Sequence, residues 1–149
     1  MIAYKADGSI FDSGCQVLVN PVNCVGVMGA GLAAEFREKF PENFFAYKRA
    51  CDNYDLRPGY MHVYHEYIKD VYIVNFPTKN HWRDKSKLGD INVGLENLRR
   101  LIGACGFKSI AIPALGCGLG GLQWSDVKVS IMLELNQLEN VKVEVYEPR

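Results

Sequence analysis

Two glycine-dense loops constrain this chain more than any other feature. Gly26-Val27-Met28-Gly29-Ala30-Gly31 follows the short apolar run Gln16–Asn20, and Gly116-Cys117-Gly118-Leu119-Gly120-Gly121 follows Ser109–Pro113. Behind the first, Leu32, Ala33, Phe36 and Phe40 fall at helical spacing; behind the second lies Ser125–Leu138, a further helical stretch. Glycine leaves backbone N–H groups open to an anion because no Cβ stands in the way. A helix N-terminus behind the loop adds free donors and a favourable dipole. Two such strand–loop–helix units at one sheet edge suit a diphosphate.

The other elements fit around these units. Ile2–Ala6 alternates like a strand, and Val141–Tyr146 reads as the last strand. Pro41 can open a second helix, since its missing N–H is not needed in a first turn; Phe44, Phe45, Tyr47 and Ala50 follow on it. After the turn signal Arg57-Pro58-Gly59, Tyr60–Tyr64 and Val71–Phe76 are β-rich and suggest a hairpin. Ile91, Leu95, Leu98 and Ile102 mark one face of a helix over Asp90–Ile102, with Asp90 as N-cap or first-turn acid. The order ββααββαβαβ predicts one α/β domain over residues 1–149, a three-layer α/β/α sandwich around a mixed sheet of about six strands.

Several function classes drop out. The second loop matches Gly-x-Gly-x-x-Gly, but only 28 residues follow Gly121, too few for a dinucleotide-binding domain. No Gly-Lys-Ser/Thr follows either loop, which excludes a P-loop. Net charge is zero, so no global field draws in nucleic acid or an anionic membrane, though a local basic patch stays open. No apolar run approaches the roughly 20 residues that span a bilayer, and no leader pattern opens the chain. The five cysteines, Cys15, Cys24, Cys51, Cys105 and Cys117, form no Cys-x-x-Cys, so reduced thiols are expected, with neither disulfides nor zinc. His62 and His65 lack a third ligand and read as structural. A cytoplasmic monomer without metal or cofactor is the expectation.

Asn20-Pro21-Val22-Asn23 lies at a strand end just before the first loop. Asparagines there can exchange hydrogen bonds with sugar hydroxyls, or serve only as turn formers. The stretches Val19–Gly31, Asn75–Arg83 and Ala114–Trp124 together resemble the macrodomain family. The second of them resembles the branch that contains terminal ADP-ribose glycohydrolases and the macrodomain of DNA ADP-ribosyl glycohydrolase antitoxins. The resemblance covers essentially the whole chain. It implies that ADP-ribose lies across the carboxyl end of the sheet. Val27, Met28, Gly29, Gly31 and Leu32 of the first loop and Gly116, Cys117, Gly118, Leu119, Gly120 and Gly121 of the second would then hold the diphosphate and distal ribose. Asn20 and Thr78 would join them, Asn23 would face the distal ribose as a catalytic residue, and Lys79 would be the catalytic lysine.

Two positions depart from the family pattern. Ser9, before Ile10, stands where many macrodomains carry an aspartate for adenine, so a charge-assisted bond is replaced at best by a hydroxyl or backbone contact. Gly120 stands where glutamyl-specific relatives carry an aspartate, which removes a candidate general acid. The antitoxin branch that the chain resembles is glycine-rich there, so the resemblance implies a nucleic-acid adduct, with thymidine in DNA as the expected target. His81 and Trp82 are candidates for contact with the target base, since base–aromatic stacking contributes about 1–3 kcal/mol per base; a tryptophan here can equally serve to cap the core, and the sequence leaves both readings open.

A free lysine amine is unprotonated in only about one molecule in a few thousand at pH 7. Lys79 therefore needs burial or a neighbouring cation, for which Arg83 and Lys85 are at hand. Three readings stand: an ADP-ribosyl glycohydrolase acting on ADP-ribosylated DNA, an ADP-ribose 1″-phosphate phosphatase or O-acetyl-ADP-ribose deacetylase, and a non-catalytic ADP-ribose reader. A reader needs no lysine at the anomeric carbon.

Overall fold

A computed structural model describes residues 2–148. Six strands, β1 (Ile2–Lys5), β2 (Val17–Val22), β3 (His62–Glu66), β4 (Val71–Pro77), β5 (Ser109–Pro113) and β6 (Lys142–Tyr146), form one sheet in the order β1-β6-β5-β2-β4-β3. All neighbours run parallel except the hairpin β3–β4. The sheet is thus mixed, as the sequence implies.

Strand periodicity decides the layers. Val17 and Val19 on β2, Val74 and Phe76 on β4, and Ile110 and Ile112 on β5 point to one face. There they meet α3 (Leu88–Cys105) through Ile91, Leu95, Leu98 and Ile102, and α4 (Trp124–Leu135) through Val127, Ile131 and Leu135. The alternate residues Leu18, Ile73 and Ala111 face α1 (Gly31–Lys39) through Phe36. Further along that face, Val22 packs with Phe44, Tyr47 and Cys51 of α2 (Pro41–Asp52). Pro41 stands at the start of α2, where its missing N–H costs nothing. Helix α3 runs three residues beyond the expected Ile102 and stops at Gly106, whose φ of 68° suits glycine.

Boundaries shift by a few residues elsewhere. Helix α4 ends at Leu135 rather than Leu138, and β3 covers His62–Glu66 because Tyr60 is taken into an isolated bridge with Arg57. A 3-10 turn, Ile10–Asp12, has no apolar period long enough to reveal it in the sequence.

A polar row crosses the apolar sheet. Asn20 on β2, Asn75 on β4 and His62 on β3 are in register. Asn20 and Asn43 both donate to Asn75 Oδ1, at 3.1 and 3.2 Å, and Asn75 Nδ2 lies 2.9 Å from Asn43 Oδ1 and 3.1 Å from His62 Nδ1. Buried amides need such partners, because an unpaired one costs about 1–3 kcal/mol. Asn20 Oδ1 has no hydrogen-bond partner among the described residues. His65, on the same strand as His62, sits 2.8 Å from Asp70 and stacks on Tyr72 at 4.1 Å. Both histidines thus have structural contacts.

Candidate functional site

The parallel strands β2, β4 and β5 all end at one edge of the sheet, and each feeds a loop that leads into a helix. After β2 the chain turns to α1 on one face; after β4 and β5 it turns to α3 and α4 on the other. Such a divergence opens a crevice at the carboxyl ends of the strands, the ordinary place for a ligand in an α/β sheet. A cavity of about 540 Å³ fills it, lined by Asn23, Val27, Gly29 and Gly31 from the first loop and Gly116, Gly118, Leu119 and Gly120 from the second. Thr78, Lys79 and Trp82 close it from the loop after β4. This is within the usual 300–1,000 Å³ of small-molecule sites.

Asn23 is first of all the organiser of its loop. Its Oδ1 accepts from the backbone N–H of Val25 at 3.0 Å and of Val27 at 3.4 Å, and its Nδ2 donates to Val27 O at 2.8 Å. The hydroxyl of Tyr47, fully buried, lies 2.8 Å from both the carbonyl and the side-chain oxygen of Asn23. An amide nitrogen carries two protons; one is held by Val27 O, which leaves one for a ligand.

Lys79 is half-buried at the cavity wall. Thr78 N–H donates to Val22 O and Cys24 N–H to Asn80 O, so the Lys79 segment continues the pairing of β4 with β2 past the strand ends. Burial lowers the Lys79 pKa below the ordinary 10.5, and the positive charge of Lys85 lowers it further, while Asp84 opposes. Of the two cations suggested for this role, Lys85 supplies it. Arg83 lies over the Trp82 ring, 4.6 Å from its centroid.

The structure separates several expected residues from the cavity. Asn20 is fully buried in the polar row, because at its register its side chain faces the α2 layer rather than the loops. Met28 is 1% exposed and fills the core beneath the first loop. Ser9 accepts from Phe11 N–H and caps the 3-10 turn, and Ile10 packs with Leu18 and Phe36, so neither reaches the cavity lining. Cys117 turns its thiol to Leu115 O, and Gly121, at φ 79°, packs near the Lys85 side chain. His81 sits behind Trp82, ring centroids 5.0 Å apart, and does not line the cavity.

The Macro domain family profile matches residues 19–131. The chain belongs to the macrodomain family. A DNA ADP-ribosyl glycohydrolase of Mycobacterium tuberculosis is 43% identical over 150 residues, covering 99% of this chain and 42% of that protein. The chain thus spans about two fifths of the length of the curated relatives it matches. The solved macrodomain of Mycobacterium tuberculosis DarG superposes with a TM-score of 0.97 at 42% identity, covering 100% of this chain and 99% of that one. Thermosipho africanus DarTG in complex with ADP-ribose gives a TM-score of 0.90 at 37% identity, covering 95% of this chain and 40% of that one.

The macrodomain cavity also takes in residues that the sequence reading passed over: Pro21 and Val22 at the end of β2, Ala30 and Ala33 around the start of α1, and Pro113 and Ala114 at the end of β5. They are small or apolar and carry no chemical signature; only their place at the strand ends or at the start of α1 could have indicated them. The structure also explains why this macrodomain has glycine at position 120. A Cβ there would lie 2.4 Å from Ser86 Oγ and 2.6 Å from Gly116 O. No aspartate fits without rebuilding the loop.

The five cysteines are all free. Burial raises the thiol pKa of Cys24 to about 12, so it is no nucleophile at neutral pH. Among the described residues no cluster of three or more His, Cys, Asp or Glu side chains could hold a metal, and no helix is long and apolar enough to cross a membrane.

Proposed function

We propose that this macrodomain binds ADP-ribose in the cavity and hydrolyses the bond between its distal ribose and a modified base in DNA. The names of its relatives, DNA ADP-ribosyl glycohydrolase, support the reaction, and the ADP-ribose complex of the Thermosipho africanus protein supports the ligand. The observation that carries the reading is Lys79: an amine on the cavity wall, with a lowered pKa and no ion pair among the described residues.

In this reading the two glycine loops receive the diphosphate on backbone N–H groups, with the start of α1 behind the first. The neutral amine of Lys79 attacks the anomeric carbon. The bond to the modified base breaks with its electron pair, and the proton shed by the new C–N centre balances the charge on the departing base. Water then displaces the lysine, releasing ADP-ribose and the free amine. Lowering the lysine pKa raises the fraction of neutral amine at neutral pH, which is what nucleophilic catalysis by lysine requires.

Lys79→Ala tests this directly. Turnover of an ADP-ribosylated oligonucleotide should collapse while ADP-ribose affinity changes by less than about tenfold, or 1.4 kcal/mol. That split marks an interaction made in the transition state rather than in ground-state binding. Lys79→Arg should fail as well, since a guanidinium stays protonated. Full activity in the alanine variant would reject the lysine mechanism.

A further inference from the structure

The chain has no net charge, so any field that gathers an anionic strand has to be local. Such a field stands on the rim of the cavity. Between residues 79 and 87 lie four cations, Lys79, Arg83, Lys85 and Lys87, against the single acid Asp84. None of the four forms an ion pair among the described residues; Arg37, Lys39, Arg49, Arg57, Lys69 and Lys108 share that trait, but they are scattered along the chain and not gathered in one loop beside the cavity. Arg83, Lys85 and Lys87 are exposed.

The segment is also held in shape. His81 N–H donates to Asp84 Oδ2 at 3.0 Å, Asp84 N–H to His81 O, and Arg83 N–H to His81 Nδ1 at 3.1 Å, which closes a tight turn. Ser86 N–H then donates to Gly120 O, tying the segment to the second glycine loop. Trp82 belongs both to the cavity wall and to this segment: it lines the cavity, is 46% exposed, and carries Arg83 on its ring. An exposed aromatic ring among fixed cations is the arrangement by which proteins hold single-stranded nucleic acid, bases stacking on the ring and phosphates meeting the charges.

We infer that the segment 79–87 is a track for the single strand that flanks the modified nucleotide, with Trp82 as the stacking platform and Arg83, Lys85 and Lys87 as phosphate contacts. This rests on the reading of the cavity as a site for ADP-ribosylated DNA, and it assigns to that site the part of the substrate beyond the ADP-ribose. It also accounts for how a chain of zero net charge engages a polyanion.

The test separates the track from the catalytic reading by using binding rather than turnover. An unmodified, fluorescently labelled single-stranded decadeoxynucleotide is titrated with the full chain at several salt concentrations, beside an acidic peptide of equal charge. The strand should bind at low salt, and the peptide markedly less well. Each phosphate contact on a single strand contributes about −0.7 to the slope of log affinity against log salt, so Arg83→Gln with Lys87→Gln should flatten that slope by about 1.4. ADP-ribose affinity of the double variant, measured in parallel, should stay within about twofold of the parent, which also shows that it is folded. An unchanged slope, no binding at low salt, or equal binding of the peptide would overturn the track. The catalytic reading fails separately, if the chain binds the strand in this way yet leaves an ADP-ribosylated oligonucleotide intact.

Discussion

Two glycines of the second loop, two residues apart, should respond to substitution in opposite ways. At Gly118 an added Cβ meets nothing within 4 Å, the residue is exposed, and it lines the cavity. Gly118→Glu should therefore leave the fold intact and place a carboxylate at the cavity wall where the proposed function puts the diphosphate. Two unit charges about 4 Å apart repel by about 4 kcal/mol at an effective dielectric near 20. On an exposed loop, solvent screening reduces this to something nearer 2–3 kcal/mol, or about a hundredfold in ADP-ribose affinity. At Gly120 the added Cβ lies 2.4 Å from Ser86 Oγ and 2.6 Å from Gly116 O, and the second of these is backbone. Gly120→Ala should force the loop apart at a cost of about 1–3 kcal/mol, which for a chain of this size lowers the melting temperature by about 2–4 °C per kcal/mol. Ser86→Ala in the same chain should recover part of that loss but not all, because the Gly116 carbonyl remains. Thermal unfolding and ADP-ribose titration on the same samples read both effects. A Gly118→Glu variant that binds as the parent does would remove the diphosphate from this loop. A Gly120→Ala variant as stable as the parent would refute the packing argument, and with it the reason for the missing aspartate.

Three further outcomes follow from the site and the sheet. ADP-ribose should bind in a one-to-one ratio and AMP more weakly, since AMP offers the two loops one phosphate and no distal ribose; equal affinities by isothermal titration would count against the two-loop site. The rate with ADP-ribosylated DNA should rise with pH as Lys79 loses its proton, along a limb lying below the ordinary lysine value of 10.5, and Lys85→Ala should move that limb to higher pH; an unmoved limb would mean that Lys85 does not act on Lys79. Burial lowers the His62 pKa from its ordinary 6.5, so as pH falls the unfolded chain takes up the proton first. Stability held by neutral His62 is then complete above about pH 6.5 and declines as pH falls through the window below it; His62→Gln should flatten denaturant midpoints measured across that window, and an identical decline in the variant would clear His62 of the effect.

The amino-acid pattern by itself determined the order of elements and the class of fold. Periods of two and of about 3.6 in apolar residues are local signals, and here tertiary packing agrees with them, as Val17/Val19 against Leu18 on β2 and the Ile91–Ile102 face of α3 illustrate. The two glycine loops were legible as well, since a backbone that must turn tightly without side chains leaves its mark in residue type; Lys79 was singled out only through the family resemblance of the segment around it, because a lysine beside a strand end carries no signature of its own. What a residue faces at a strand end is not local. Asn20 and Asn23 look alike in sequence, three positions apart, yet one is sealed into a row with Asn75, Asn43 and His62 and the other shapes the cavity wall. Strand register and the placement of α2 decide between them. Likewise only the packed structure shows that Lys85 rather than Arg83 bears on Lys79, that Tyr47 reaches over from α2 to hold the Asn23 loop, and that Ser86 fills the space an aspartate at position 120 would need. Each is a contact between segments that the chain brings together only by folding, and pair interactions of that kind leave no period in the sequence to read.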